Sequence, residues 1–559
     1  MDHDVIVIGA GAAGMASASV AAAEGLRVLL LEKSSKVGGT TAISGGMVWI
    51  PANAKMAAAG LADSPQLAET YLSATVGSFD DPAQRAFLAR ANEAIEYFEG
   101  RTSVVLRPVT SYPDYYPELP GATAGGRVLE PVPFDASELG QGFRLLAEPL
   151  QEFTLFGGMM LDRADIPHFR KALRSLHSLR RVLSLVSQYA RQRAAHPRGT
   201  SLYLGNALAG RLLRSVLRAN VELVTNAAVE SLSIEDGRVV AVTVFTQPGD
   251  PVRFVARRGV VLATGGFGHD PELRQHLLPP LMAGRFSATA ATCEGNGVRL
   301  GTAAGGRLAE GRQGNGFWSP VSRFRRRDGT EALFPHTVTD RGKPGVIAVA
   351  GSGRRFANEA VSYHEFVRAM LRTQEITASA PAYLICDRRF LRRYGLGAIK
   401  PFSLRLGHHR RNGYLTEAAT IEDLARILGI APSALADTVA RYNEGARRGL
   451  DPEFGRGSTI YQRYLGDRDH APNPCVGPIE HPPFYAIAIY PGDLGTAAGL
   501  KTDENARVLD GTGQPIPGLY ACGNDMLSVM NGAYPGPGIT LGPALTFGYI
   551  AARHIAASP

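Results

Sequence analysis

The sequence predicts an α/β protein in which a parallel-sheet domain is split by an inserted domain of α+β character. Three observations predict this fold. A strand–turn–helix–strand unit opens the chain, the texture changes near residue 285 to many loops with scattered arginines, and glycine-rich parallel-sheet character returns after residue 490. We therefore predict a first domain formed by residues 1–284 and 491–559, and a second domain formed by residues 285–490.

The opening unit has the pattern of a Rossmann-like dinucleotide-binding domain. Residues 5–8 form a short apolar strand, and the turn GAGAAG leads into an alanine-rich helix. Residues 27–31 form the next strand, which ends on Glu32. The glycines permit a tight turn and close approach to a pyrophosphate, and the acid stands where a carboxylate accepts ribose hydroxyls. Further strands are predicted at 221–225, 229–234, 239–245, 259–263 and 518–522, and helices at 206–218 and 421–428.

Composition and charge exclude several classes of function. The net charge of +8 is dispersed through 559 residues, so we expect no nucleic-acid partner. The four cysteines show neither a CxxC pair nor zinc-ligand spacing, which predicts no metal site and a reducing compartment. No signal peptide is recognisable, and no run approaches the ~18 apolar residues of a membrane span. We therefore expect a cytoplasmic protein.

The spacing of apolar residues over 169–193 predicts one basic amphipathic helix. Its apolar face is formed by Phe169, Leu173, Leu176, Leu179, Val182, Leu183 and Val186. Arginines and a lysine lie largely elsewhere on the helix. We interpret it as a surface helix that covers the core; the alternative left open is peripheral attachment to the inner face of a membrane.

Several further motifs follow the glycine turn in a specific order. They are EKSSKVGGTTAISGG at 32–46, LATGGF at 262–267, GRRFANE at 353–359, LYACGND at 519–525 and YPGPGITLGPALTFGYIAA at 534–552. Over nearly its whole length the chain resembles the fumarate reductase/succinate dehydrogenase flavoprotein superfamily, and within it the Δ1-type 3-ketosteroid dehydrogenases. The resemblance implies FAD as cofactor and a 3-ketosteroid or similar apolar ketone as substrate. It also implies an electron acceptor, which no motif identifies.

The resemblance implies that FAD is held by residues from both ends of the chain. Small residues beneath the flavin ring let backbone amides reach it, and the positive end of a C-terminal helix faces the ring. The implied FAD-binding residues are Gly9, Gly11, Ala13, Gly14, Glu32, Lys33, Gly39, Thr40, Thr41, Ser44, Gly45, Gly46, Ala228, Val229, Ala263, Thr264, Gly265, Gly523, Asn524, Gly538, Thr540 and Leu541.

Two departures from the superfamily patterns narrow the function. Succinate dehydrogenases tether FAD through a histidine just before their Gly-Gly pair, whereas this chain has Gly38-Gly39-Thr40, so we expect non-covalent FAD. The dicarboxylate enzymes carry a His-Thr-x-Gly-Gly element and an arginine clamp. Here residues 495–499 are GTAAG, and 530–543 contain no Arg, Lys or His. A carboxylate would lack its bidentate partner there, so we expect a neutral, apolar substrate.

Three tyrosines and a glycine match the active-site motifs of the Δ1-dehydrogenases. The resemblance implies that Tyr534 and Gly538 bind the ketone oxygen, that Tyr363 is the base that removes the α-proton, and that Tyr115 supports the base. Hydride then passes to flavin N5. Because free tyrosine titrates near ~10, the base needs a lowered pKa. Tyr116 is the neighbour that could take the place of Tyr115.

The predicted function is an FAD-dependent 3-ketosteroid dehydrogenase that introduces a ring-A double bond, with the 1,2-position preferred. One alternative is a 3-keto-5α-steroid 4-dehydrogenase, which shares the carbonyl-binding residues. A second is a flavin-dependent reductase of small unsaturated acids, and a third is an FAD-bound scaffold protein without catalysis. Arg354 and Arg355 are interpreted as partners in structural salt bridges.

Overall fold

The computed structural model describes residues 2–172, 175–246, 251–284, 286–373, 375–377, 380–403 and 405–558. Two large sheets dominate this part of the chain. The first sheet joins the two ends of the sequence, because strand Pro515–Ala521 pairs in parallel with Val252–Leu262, which pairs in parallel with Asp2–Ile8. Its strands are Asp2–Ile8, Val28–Glu32, Glu222–Thr225, Ala227–Glu235, Arg238–Thr246, Val252–Leu262, Arg507–Leu509 and Pro515–Ala521.

The apolar N-terminal strand lies in the interior of this sheet, between Val28–Glu32 and Val252–Leu262. Val5, Ile6 and Val7 are fully buried, as expected for a parallel strand covered on both faces. Helix Ala12–Ala23 packs against the C-terminal helix Leu541–Ala557. The approach is close: a Cβ at Gly548 would lie 2.8 Å from the Ala13 carbonyl oxygen. The first and last helices of the chain therefore pack as one unit.

The second large sheet is formed by the middle of the chain. Its strands are Gly316–Arg325, Glu331–Pro335, Val346–Val349, Ala382–Asp387, Thr416–Ala418 and Phe484–Thr496. The long strand Phe484–Thr496 pairs with three of the others and runs across the domain boundary expected at residue 490. The division into residues 1–284 with 491–559, and 285–490, stays a prediction.

The helices and small sheets complete the described structure. The remaining α-helices are Gly39–Ile43, Ala54–Ala58, Pro65–Val76, Pro82–Arg101, Ile166–Lys171, Leu176–Ala195, Leu204–Arg218, Pro271–Leu277, Asn296–Ala303, Tyr363–Arg372, Arg388–Tyr394, Gly407–Arg411, Ile421–Leu428, Pro432–Ala446 and Ile460–Leu465. Short strands pair as Val48–Trp49 and Leu106–Pro108 with Val128–Pro131, Phe134–Asp135 with Ser201–Leu202, and Leu308–Ala309 with Gly499–Leu500.

The segment predicted as one helix over 169–193 differs from the prediction. It forms two helices, Ile166–Lys171 and Leu176–Ala195, and the second begins at Ser175, whose side chain accepts a hydrogen bond from the Ser178 N–H. Such a cap starts a new helix. Leu173 lies outside the described residues. Leu176 and Leu183, expected on the buried face, are 75% and 58% exposed.

The other predicted elements occur with small shifts at their ends, except that the strand predicted at 259–263 begins seven residues earlier, at Val252. Helix 421–428 has the predicted limits, whereas the predicted helix 206–218 begins two residues earlier, at Leu204. In the described part of the chain, none of the helices is long and apolar enough to cross a bilayer.

Candidate active site

A cavity of about 750 Å³ is lined by segments from the beginning, the middle and the end of the chain. Its wall contains every predicted site residue except Gly14. The N-terminal glycine turn, the residues that follow strand Val252–Leu262, and the C-terminal segment thus surround one space. This arrangement follows from the sheet, because adjacent parallel strands end at the same edge.

The glycines in and behind the cavity wall are of two kinds. A Cβ at Gly14 would lie 1.8 Å from the Gly9 carbonyl oxygen, and a Cβ at Gly9 would lie 2.4 Å from that of Ala263. Both positions are therefore required by the packing of the backbone itself. A Cβ at Gly11 or Gly45 would meet no atom within 4 Å, because these positions face open space. Gly14 is thus a packing residue behind the wall, and its predicted contact with FAD stays a prediction.

Glu32 is fixed at the cavity wall by the backbone around it. Its two carboxylate oxygens accept hydrogen bonds from the Ala10 N–H at 2.8 Å and the Ser34 N–H at 2.9 Å. Burial raises the pKa of Glu32, against these hydrogen bonds. Each oxygen keeps a lone pair for a further donor, so the carboxylate is held in place to accept hydroxyl groups from a molecule in the cavity.

Sequence analysis did not identify Asp525, a buried residue that holds two walls of the cavity together. Its carboxylate accepts hydrogen bonds from the Gly266 N–H at 2.9 Å and the Thr264 hydroxyl at 3.0 Å. Thr264 in turn accepts from the Gly297 N–H at 2.9 Å. The signal in the sequence was the acid that ends LYACGND, directly after a buried strand.

Tyr115, Tyr363 and Tyr534 form one cluster in the cavity wall. The Tyr363 ring stands edge-on to Tyr534 with 5.1 Å between ring centroids, and Tyr115 stacks on Tyr534 at 5.6 Å. Tyr115 and Tyr363 are also edge-on, at 5.6 Å. All three side chains are buried. Three residues hundreds of positions apart in sequence therefore present their phenols to the same space.

Backbone contacts position the cluster and distinguish Tyr115 from its neighbour. The Tyr115 N–H donates to the Pro535 carbonyl at 2.9 Å, which links it to the segment that carries Tyr534. The Tyr116 hydroxyl instead donates to Glu365 at 2.9 Å. Tyr363 is the first residue of helix Tyr363–Arg372, where the helix dipole favours negative charge.

Gly538 presents its backbone to the cavity beside Tyr534. Its φ is +96°, and a Cβ would lie 2.4 Å from the Met47 carbonyl oxygen, so no other residue fits without a shift of the backbone. The Gly538 carbonyl accepts from the Trp49 N–H at 3.1 Å. Its own N–H has no protein acceptor among the residues that the structure describes, and so remains available to a molecule in the cavity.

Burial dominates the electrostatics of the tyrosine cluster. It raises the pKa of Tyr534 to about 12 and that of Tyr363 well above 10. The lowered pKa expected for the base is therefore not found in this structure. Two features favour ionisation of Tyr363: the neighbouring Tyr115 phenol, which lowers its pKa against the effect of burial, and its place at a helix N-terminus.

The structure adds residues to the site that sequence analysis missed. Tyr112 lines the cavity, and Tyr461 packs on Tyr115 with 4.7 Å between ring centroids. Two cationic side chains, Arg163 and Lys400, also line the cavity. Neither cation belongs to a motif, so only the tertiary structure brings them to the site.

A family comparison connects this cavity to known proteins. The model of the FAD binding domain family matches residues 4–541. The chain belongs to this family. The FAD binding domain therefore takes in the N-terminal glycine turn and the start of the C-terminal helix, as well as the segments between them. FAD is the cofactor of this α/β flavoprotein.

Relatives of this FAD binding domain protein match it along its whole length. It is 40% identical to 4-oxocyclohex-2-ene-1-carboxylate 5-dehydrogenase of Sinomonas cyclohexanicum, over 99% of this chain and 93% of the relative. It is 36% identical to 3-oxosteroid 1-dehydrogenase of Mycobacterium tuberculosis, over 99% and 98%. The crystal structure of 3-ketosteroid Δ1-dehydrogenase from Sterolibacterium denitrificans with 1,4-androstadiene-3,17-dione is 38% identical, with a TM-score of 0.90 and full coverage of both chains.

The residues present in the cavity fit FAD. At Gly11 and Gly45 no side chain stands between the backbone and the open cavity. A pyrophosphate or a flat ring can therefore approach the backbone closely at these positions. Gly11 also precedes helix Ala12–Ala23 without a side-chain cap. The Ala12 N–H donates to the Thr41 hydroxyl at 3.1 Å, and the N–H groups that follow it in the first turn can face an anion. The predicted FAD-binding residues other than Gly14 lie around this space, and their individual contacts with FAD stay predictions.

Proposed function

We propose that this protein is an FAD-dependent dehydrogenase that introduces a 1,2-double bond into the ring of a 3-ketosteroid. One observation carries the proposal: Tyr115, Tyr363, Tyr534 and the unpaired N–H of Gly538 meet in the wall of one cavity with the FAD-binding residues. Full-length relatives named as 3-oxosteroid 1-dehydrogenases support it.

We assign the residues the roles that the resemblance implies, and their positions in the cavity wall support this assignment. The Tyr534 hydroxyl and the Gly538 N–H donate to the ketone oxygen, which stabilises the negative charge that develops there when the α-carbon loses its proton. Tyr363, as the phenolate, removes that proton from C2 and becomes a neutral phenol. Tyr115 lowers the pKa of Tyr363 and can pass the proton on. FAD, when bound, supplies the acceptor for the hydride that leaves C1.

Attachment of FAD is proposed to be non-covalent. Residues 38–40 are Gly-Gly-Thr and lack the histidine that the resemblance associates with tethered FAD. The Cys293 sulfur, a nucleophile in the cavity wall, lies 3.5 Å from the Thr40 hydroxyl. Burial raises the pKa of Cys293 to about 11, so it stays a weakly nucleophilic thiol. Acid precipitation should release all yellow colour into the supernatant, whereas colour in the pellet would contradict this proposal.

A second candidate function is desaturation of a small cyclic ketone that carries a carboxylate. The 40% identical relative is named for such a substrate. The absence of Arg, Lys and His from 530–543 favoured a neutral substrate in sequence analysis, but Arg163 and Lys400 reach the cavity from other segments. The 4,5-desaturation alternative retains Tyr534 and Gly538; we favour the 1,2-position because Tyr115 is also in the cluster.

Peripheral contact with a membrane is proposed for the rim of the cavity. Phe402 and Val338 line the cavity and are 54% and 38% exposed. Phe156, which follows a cavity-lining residue in the sequence, is 67% exposed. Exposed apolar side chains beside a cavity suit an apolar substrate that partitions into lipid. Cosedimentation with liposomes tests this, and protein that stays in the supernatant with every lipid composition would contradict it.

Anaerobic titration of the purified yellow protein with a panel of ketones tests the function. A 3-ketosteroid should bleach the flavin absorbance, and product analysis should find a 1,2-double bond. Fumarate should give no reoxidation of the reduced protein. A product desaturated at C4–C5 would support the alternative, and bleaching by none of the ketones would overturn the proposed function.

A further inference from the structure

Lys400 places a positive charge in the wall of the substrate cavity without a carboxylate partner. Its Nζ donates to the Thr154 carbonyl. Glu152 is the acid whose charge acts on it, but both Glu152 oxygens are bound by Arg326, at 2.8 and 3.2 Å. Within the described ranges, no acidic side chain forms an ion pair with Lys400.

The other two cations of the described cavity wall, Lys33 and Arg163, are already compensated. Lys33 donates to Glu294 at 2.6 Å. Arg163 donates to Glu130 at 2.7 Å and to the Tyr464 hydroxyl at 3.1 Å. Glu130 also binds Arg107, which is paired with Asp162, so this group of two arginines and two acids has no net charge. The charge available to a molecule in the cavity is therefore that of Lys400.

A buried polar network holds the loop that carries Lys400. The Gly397 N–H donates to Asp340 at 3.0 Å, and the Ala398 N–H donates to the Tyr414 hydroxyl at 2.9 Å. Asp340 is bound to His336 at 2.6 Å, and all three of these side chains are buried. The loop is therefore anchored to the interior and not free to swing away from the cavity.

The same network anchors a second piece of the cavity wall. Residues 337–339 line the cavity and lie between His336 and Asp340, whose contact closes this short loop. Two loops that face the cavity are thus fixed to one buried group. A charge held in a defined place, partly desolvated and lacking a counter-ion, is stabilised by an anion that binds opposite it. Burial lowers the pKa of Lys400, as expected for an ammonium group without a partner.

We propose that Lys400 binds a carboxylate of the ketone substrate and selects acidic ketones over their neutral analogues. This inference rests on the proposed function, because it assumes that the ketone lies against Tyr534 and Gly538. The carboxylate can belong to a small ring or to the side chain of a steroid. Both sources present the same anion to the ammonium group, and a charge-assisted hydrogen bond would hold it.

The test compares each acid with its methyl ester. The substrates are a cyclohexanone with a carboxylate at the 4-position and its ester, and a 3-ketosteroid with a side-chain carboxylate and its ester. The readout is the ratio of kcat/KM for acid and ester, measured on holoenzyme. In Lys400→Met this ratio should fall about 10- to 100-fold for at least one pair, mainly through KM. Lys400→Arg should keep it.

Controls and outcomes separate the possibilities. Lys171→Met removes an exposed lysine that does not line the cavity and should leave the ratio as in the wild type. A fall for the cyclohexanone pair identifies a small acidic ketone, and a fall for the steroid pair identifies a side-chain acid. An unchanged ratio for both pairs, or a wild-type enzyme without preference for either acid, overturns the proposal.

Failure of the proposed function would be recognised separately. If the wild type oxidises none of the four ketones, equilibrium dialysis of the holoenzyme with each acid and ester still measures the contribution of Lys400 to binding. Lys400→Gln serves as the neutral variant if Lys400→Met does not retain FAD. Equal binding of acid and ester by the wild type would then overturn the role of Lys400.

Discussion

The Tyr363 ring meets the Tyr534 ring edge-on, with 5.1 Å between centroids. One phenol begins a helix in the middle of the chain, and the other lies in the turn before the C-terminal helix. Their contact joins the segment proposed to remove a proton to the segment proposed to bind the ketone oxygen. Each group can therefore be tested by itself.

Tyr534→Phe should lower turnover by about 10²–10³, the effect of losing one oxyanion donor. The ring remains, so stacking on Tyr115 and the flavin absorbance should be retained. Steady-state kinetics with a 3-ketosteroid measures the loss. Tyr549→Phe is the control, because its hydroxyl binds Glu93 outside the cavity. Wild-type turnover in Tyr534→Phe would contradict the assignment.

Tyr363→Phe should abolish exchange of the C2 hydrogen of the ketone with deuterium in the solvent. The phenylalanine ring can fill the space, but no group remains to remove the proton. Mass spectrometry of ketone recovered from the enzyme measures the exchange, and turnover should fall further than in Tyr534→Phe. Exchange at the wild-type rate would remove Tyr363 from the mechanism.

Tyr115→Phe should shift the pH–rate profile to higher pH. The base acts in its deprotonated form, so the rate rises with pH through the pKa of Tyr363. Tyr115 lowers that pKa. Removal of its hydroxyl should therefore raise the pKa of Tyr363 and move the profile to higher pH. Tyr116→Phe is the matched control, because the Tyr116 hydroxyl binds Glu365. A shift toward lower pH in Tyr115→Phe, or equal shifts in both variants, would contradict the supporting role.

Gly11→Val and Gly14→Val should fail in different ways. A Cβ at Gly11 meets no protein atom within 4 Å, whereas one at Gly14 lies 1.8 Å from a backbone oxygen. Gly11→Val should therefore fold but lose FAD, and Gly14→Val should not give folded protein. Circular dichroism and flavin absorbance distinguish the two states. Stoichiometric FAD in Gly11→Val would contradict the proposed position of the pyrophosphate.

Arg355→Met should destabilise the protein by about 3–5 kcal/mol, because it leaves buried Asp451 without its cation and Glu359 with Arg456 alone. Arg355 binds Glu359 at 2.8 Å and Asp451 at 2.7 Å. These contacts lower the pKa of both carboxyls, so the stabilisation is present above their ordinary pKa values and is lost as pH falls through the lowered ones. Urea unfolding at neutral and acidic pH measures both effects. Arg354→Met, at the exposed neighbour, should change little.

The sequence by itself determined the cofactor domain of this protein. The local signals for this domain are strong because one βαβ unit places the first strand, the glycine turn and Glu32 within a short stretch of sequence. The structure confirms the α/β fold, and the family match confirms FAD. The order of the motifs also predicts Tyr363 and Tyr534 as site residues, because each lies in or next to a distinctive motif.

Only the tertiary structure decided which side chains share the cavity. A backbone hydrogen bond to Pro535 distinguishes Tyr115 from Tyr116 as the residue of the cluster. Pro535 lies 420 positions further along the chain, so no local sequence pattern encodes this contact. Lys400 lines the cavity, and Asp525 holds the cavity-lining Thr264 from behind the wall, because loops and strands from different parts of the chain end there. The physical reason is the same in each case: local sequence fixes backbone conformation, whereas burial, charge compensation and pKa depend on neighbours that folding brings from far along the chain.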